Sequence, residues 1–221
     1  MEMTVQDQLN QLNKDFKIGI VEYRGIHVGD SPQMLKGRLQ LFQESLYFDY
    51  VDKKVTDIPA ILEWRQLFKA IGTDPNRYRP SSEALYRRVQ KQQYLQPFNS
   101  AVDLNNFLSL QYQIPLGIYD KDKLIGDVKI KIGSEEDTYL AINEREVSFH
   151  NKLVSEDHQG PFGSPYVDSK RTAVTSNTTE ALHIVYLNPS LSEERSLELL
   201  QALSSMFTQI HGGDATYKII K

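Results

Sequence analysis

The chain contains no cysteine. That excludes disulfides, cysteine-ligated zinc and thiol catalysis, and it fits a cytoplasmic protein. No run of about 18 apolar residues occurs, so no segment is expected to span a membrane. Met1 to Asp15 is polar and mixed in charge, without the apolar centre of a signal peptide. Positive charge is in the minority: 25 Lys and Arg stand against 29 Asp and Glu, for a net of −4. A protein that grips duplex nucleic acid over a wide surface is usually basic, so any RNA contact must be a local patch. There is no G-x-S-x-G elbow, no H-E-x-x-H and no Walker A loop. The five histidines are scattered. Asp157-His158 with His150 comes nearest to a ligand cluster but has no recognised spacing. Neither a metal nor a cofactor is expected.

What is present suits a single α+β domain over residues 1–221, with a 40% hydrophobic content large enough for one core. Residues 16–24 alternate as a strand. Ser31-Pro32 reads as a helix start, with Leu35, Leu39, Phe42 and Leu46 at helical spacing and Gly37 weakening the helix by about 1 kcal/mol. A second helix is expected from Asp57 to Ile71, stopped by Gly72. Ser81 is expected to cap a third, with Glu83 in its first turn. Asn99 or Ser100 caps a fourth, which Pro115 ends. Beyond Asp120 the period changes to two: 128–132, 139–142, 147–149, 173–175 and 182–187 read as strands. A last helix runs from about Ser192 to His211. Helices first and strands afterwards argue for α+β over alternating βαβ units. Residues 152–170, rich in Gly, Pro, Ser and Asp, read as a loop and the best candidate break.

Three places can carry chemistry. Asp103 and Asn106 share one side of the fourth helix. Two asparagines inside a helix are mediocre for propensity, so they call for a partner, either a ligand or a neighbouring loop. The second place is GPFGSPYVDSKRT, Gly160 to Thr172. Its glycines let backbone amides near Gly163 and Ser164 approach a ligand and hold an oxyanion. Asp168, Arg171 and Thr172 follow as candidate substrate-binding residues; alternatively Asp168 and Arg171 pair with each other. The third is a basic stretch, Arg77, Arg79, Arg87, Arg88 and Lys91, interleaved with Tyr78 and Tyr86. It suits unpaired RNA, or a solvated helix face with a Glu83–Arg87 pair. His183, in an apolar strand, reads as a packed residue rather than a base.

The stretch VDLNNFLSLQYQIPLGIYD, Val102 to Asp120, resembles the signature of the B3/B4 domain of bacterial phenylalanyl-tRNA synthetase β subunits. Val102, Asp103, Asn106, Pro115, Leu116 and Asp120 match its first motif. GDVKIKIG looks like the strand that follows, and Val174-Thr175 to Thr178 resembles the second motif. RPSSEALYRR looks characteristic of free-standing B3/B4 proteins. The resemblance implies layered, barrel- or sandwich-like sheets flanked by helices. It also implies hydrolysis of misacylated aminoacyl-tRNA, acting in trans, with the tRNA acceptor end or an aminoacyl ester as partner. It gives Asn106 an editing-pocket role. On the hydrolytic reading Asp103 and Asn106 would orient the water or the α-amino group, and Arg79, Arg87 and Arg88 of the basic stretch would hold the acceptor-end phosphates. Two positions depart from the pattern. The family usually has His where this chain has Gly117, and a pocket Glu where it has Ile184 or at best neighbouring His183. The departures favour an alternative: a non-catalytic binder of an amino acid, an aminoacyl ester or RNA. The hydrolytic reading requires Asn106 and the Gly160–Thr172 segment to meet in one cleft.

Overall fold

The computed structural model describes all 221 residues. Its centre is an antiparallel sheet of four strands in the order β10-β2-β9-β3. These are β2 (Ile18–Arg24), β3 (Leu116–Asp120), β9 (Glu180–Tyr186) and β10 (Asp214–Ile220). A second sheet, in the order β1-β4-β7-β8, joins β1 (Met3–Val5), β4 (Val128–Ile132), β7 (Leu153–Asp157) and β8 (Gly160–Gly163). Within it β1 runs parallel to β4 and the other pairs are antiparallel. A hairpin of β5 (Thr138–Leu140) and β6 (Glu146–Ser148) stands apart. The α+β class and the layered sheets are as expected, although neither sheet closes into a barrel.

Period-two alternation gives the central sheet two apolar faces, and each face has its own core. Val21, Tyr23, Leu116, Ile118, Ala181 and Val185 point toward α2 (Gln33–Tyr50), α4 (Ser81–Gln90), α5 (Ser100–Tyr112) and α6 (Glu193–His211). Ile18, Ile20, Tyr119, Leu182, Ile184 and Tyr186 point the other way. There they meet the second sheet through Val128, Ile130, Leu153 and Phe162, and α3 (Pro59–Ile71) through Trp64 and Phe68. A short α1 (Asp7–Leu12) adds Leu9 to this second core.

The helix ends follow local chemistry. Asn99 caps α5, its side chain accepting from the Val102 amide at 2.9 Å. Ser192 caps α6 in the same way. Two expected caps fail: Pro32 and Pro80 occupy the cap positions of α2 and α4. Ser31 instead donates to Asp103, and Ser81 becomes the first residue of its helix. The region expected to be a loop, 152–170, contains β7 and β8, and no break in the fold lies there. Residues 173–175 form no strand, only a single bridge from Ala173 to Tyr119.

Candidate functional site

The polar groups of α5 divide by direction. Asp103 faces inward, accepting from the Ser31 hydroxyl at 2.5 Å and from the Phe98 amide at 2.9 and 3.1 Å. It ties the segment before α5 to the start of α2. Asn105, one of the two helix asparagines expected to need a partner, accepts from His183 Nε2 at 3.1 Å. The amide oxygen can only accept, so Nε2 carries the proton and Nδ1 accepts from the Tyr23 hydroxyl at 3.0 Å. Burial lowers the His183 pKa to about 3, with nearby His211 adding to the shift. The ring is a neutral connector, as expected of a packed histidine. Asn106 is half-buried and makes no side-chain hydrogen bond within the chain.

The expected single cleft is absent. α5 packs on one face of the central sheet, while Phe162 of β8 packs on the other. The sheet therefore stands between Asn106 and the Gly163–Ser164 amides. The second-core side is also filled beside Gly117. A Cβ on Gly117 would lie 2.0 Å from the Tyr119 hydroxyl, and one on Gly163 would lie 2.3 Å from it. Both glycines are required by the phenol wedged between them. Gly117 pairs with Ile184 across the β3–β9 ladder, so the two departures from the B3/B4 pattern are neighbours. The Tyr119 phenol occupies the space that a histidine ring at 117 would need.

Tyr119 donates to Asp168 Oδ1 at 2.6 Å. Burial is the main force on Asp168, pushing its pKa up to about 7, while the Tyr119 hydroxyl and the Ser164 backbone act to lower it. Burial also holds the Tyr119 phenol well above its ordinary value, and the adjacent carboxylate adds to this. The Ser164 hydroxyl closes a turn, donating to Val167 O and accepting from the Tyr166 and Val167 amides. Arg171 does not pair with Asp168. It clamps buried Asp157 through two contacts of 2.9 and 3.0 Å and also reaches the Gly160 carbonyl. Thr172 is buried against Ser169 at 3.1 Å. Ser164 and Thr172 serve the loop rather than an open site. A cleft of about 440 Å³ does adjoin the loop, lined by Tyr139, Pro161, Ser169, Lys170 and Arg171.

The basic stretch folds around one buried carboxylate. Glu83 accepts from Arg65 Nη1 at 2.9 and 3.0 Å and from Arg87 Nε at 2.8 Å, with Arg79 Nε 3.9 Å away. The Glu83–Arg87 pair is the one that helical spacing implies. Arg65 was invisible to that reasoning because it comes from another helix. Three cations on one carboxylate leave an excess of positive charge. Arg88 is exposed and outside the ion pairs. Tyr86 is buried, donating to Leu110 O at 2.9 Å, and cannot stack on a base. Tyr78 is partly open and meets Tyr166 edge-on at 5.4 Å. Lys152 lies 4.2 Å from the Tyr78 ring centre and Arg77 lies 5.2 Å from it. Burial and then Arg77 lower the Lys152 pKa. The Ser81 amide donates to Pro165 O, holding α4 against this tyrosine-bearing turn. No group of three His, Asp or Glu side chains is placed to hold a metal.

The site is thus framed by a two-sheet α+β domain in which an Asn-bearing helix runs through Ile-Pro into β3, the buried edge strand of the central sheet. Residues 63–210 match the model of the B3/4 domain, and the chain belongs to that family. It is 37% identical over 196 residues to the uncharacterized protein YhzB of Bacillus subtilis, covering 89% of this chain and 88% of that one. It is 29% identical over 98 residues to the phenylalanine–tRNA ligase β subunit of Psychrobacter arcticus, covering 43% of this chain but only 12% of the ligase subunit. Among solved structures, an N-terminal fragment of the Pyrococcus horikoshii phenylalanyl-tRNA synthetase β-subunit matches with a TM-score of 0.45 and 11% identity. That match covers 99% of this chain and 50% of the fragment. No helix of the chain is long and apolar enough to cross a membrane.

Proposed function

We propose that this chain binds the single-stranded acceptor end of tRNA, free or aminoacylated, and that it does so without hydrolysis at Gly117 and Ile184. The observation that carries this is the surface where Tyr78 and Tyr166 stand among Arg77, Arg79, Arg87 and Lys152, with only one carboxylate, Glu83, engaging these arginines. Cations track phosphates, while an aromatic face accepts any base. On this reading Arg88 extends the phosphate track, the protein is cytoplasmic, and no cofactor takes part. The Tyr119 phenol argues against editing at the inherited position, because it fills the space beside Gly117.

The test is fluorescence anisotropy with a short RNA ending in CCA and with intact tRNA. Binding should weaken as salt rises, and Arg79→Ala with Lys152→Ala should lower the salt slope by about two. An affinity indifferent to salt, or unchanged in the double variant, would rule the reading out.

A second reading retains hydrolysis of misacylated tRNA in trans. It is favoured by Asp168, a carboxyl held near neutrality next to Ser169, which lines the adjoining cleft. Such a group can take a proton from water at physiological pH. A panel of charged tRNAs decides between the two. Turnover that disappears in Asp168→Asn or Asn106→Ala, with the fold intact, supports hydrolysis; binding without turnover supports the binder.

A further inference from the structure

We infer that the chain forms an antiparallel, two-fold homodimer through the outer face of α2. This helix has two apolar stripes. Leu35, Leu39 and Leu46 enter the core. On the opposite side Met34, Leu41 and Phe48 are 72%, 68% and 75% exposed. They recur every seven residues, the spacing of a helix seam, with Gly37 and Ser45 between them. Phe98, 74% exposed, extends the patch near the start of the helix. Its amide is held by Asp103, which also takes the Ser31 hydroxyl just ahead of α2.

Solitary exposed apolar side chains are ordinary, but an aligned row is not. These four expose on the order of 500 Å² per copy. With the flanking polar side chains, that approaches the roughly 800 Å² per partner of a stable interface. Gly37 fits the same picture. It costs the helix about 1 kcal/mol relative to Ala. A Cβ there would meet nothing within 4 Å, so packing inside the chain does not demand glycine. Close approach of a second helix does.

The occupant is a second copy because the stripe is complementary to itself. Leu41 lies midway between Met34 and Phe48. A two-fold axis at Leu41 sets Leu41 against itself and Met34 of each copy against Phe48 of the other. Gly37 falls level with Ser45, two small residues that let the backbones close. The charges agree. Within Gln33–Tyr50 the cations, Lys36 and Arg38, lie in the first half, and the carboxylates, Glu44 and Asp49, lie in the second. An antiparallel pair sets each basic half beside the acidic half of the other copy, with Arg38 level with Glu44. A parallel pair would set like charges together.

Sedimentation velocity across a concentration series should show a monomer–dimer equilibrium. Leu41→Glu should weaken it by about 100-fold or more, since two carboxylates would face each other at the axis. It should leave the circular dichroism spectrum and RNA affinity unchanged. The chain has no cysteine, so geometry is read by single thiols and a short thiol cross-linker. Leu41→Cys should cross-link to itself. Met34→Cys should cross-link to Phe48→Cys in a mixture but not to itself. A wild-type protein that stays monomeric at its highest soluble concentration overturns the proposal. So does a dimer indifferent to Leu41→Glu, or Met34→Cys self-linking.

Discussion

The Tyr119 hydroxyl donates to Asp168 Oδ1 at 2.6 Å while lying where a side chain on Gly117 or Gly163 would have to stand. One ring thus links β3, the β8 end and the loop that follows it, and it fills the inner space beside Ile184.

Replacing Gly117 with histidine, the residue usual in the B3/B4 pattern, should overpack this interior and cost about 1–3 kcal/mol. Removing the ring by Tyr119→Ala should cost about 3–5 kcal/mol, as for other large core aromatics. The double variant should lose less than the sum, because the new imidazole enters the vacated space. Urea denaturation of the four proteins measures this coupling; strict additivity would show that the two side chains do not compete.

Acid should destabilise the fold between about pH 6.5 and 3. His183 and His211 are held neutral by burial, and both protonate more readily in the unfolded chain. The unfolded state then binds more protons, and stability falls by roughly 1.4 kcal/mol per pH unit for each full proton of difference. Asp168 acts in the opposite sense. Its raised pKa, about 7, makes its contribution complete below pH 3.8 and lost as pH rises toward 7. Asp168→Asn should therefore steepen the acid loss and relieve destabilisation at pH 7 and above. Denaturant titrations from pH 4 to 8 report both slopes, and parallel curves for variant and wild type would contradict this assignment.

Glu83→Gln should cost about 2–3 kcal/mol, because it leaves the mostly buried Arg65 side chain without its carboxylate. The loss stays below that of a fully buried pair, since Arg79 and Arg87 reach water. Arg79→Ala should change the melting temperature little, its Nε being 3.9 Å from Glu83, yet weaken RNA binding. Thermal melts beside anisotropy separate the structural arginine from the binding one.

Tyr78→Ala should lower affinity for the CCA-ended RNA by about 1–3 kcal/mol, the range for one lost base stack. Tyr78→Phe should retain most of it, because stacking needs the ring and not the hydroxyl. Tyr86→Phe should leave RNA affinity unchanged, since Tyr86 is buried against Leu110 O. An effect of Tyr86→Phe equal to that of Tyr78→Ala would move the binding surface elsewhere.

The major helices were legible because their apolar residues recur every three or four positions. Leu35, Leu39 and Leu46 are buried in α2, and Leu200, Leu203 and Phe207 in α6. β2 and β4 were visible by alternation, and β9 as an apolar run. β3 was not: Leu116 to Asp120 is buried on both faces, so no alternation marks it, and the preceding Pro115 with Gly117 suggests a turn. β7 and β8 were concealed by the glycine and proline that β8 carries. At the candidate site, the Glu83–Arg87 pair was readable from a four-residue spacing. Arg65–Glu83, Arg171–Asp157 and Tyr119–Asp168 were not, because each joins separate elements.

By itself the sequence determined the family, the α+β class, the absence of thiol chemistry and the local basic patch, all of which depend on residue identity and short-range spacing. Only the tertiary structure decided that the central sheet separates Asn106 from Gly163, that Tyr119 fills the space beside Gly117, and that Tyr78 rather than Tyr86 faces outward. Those outcomes depend on which face of a sheet each segment covers, and long-range packing sets that.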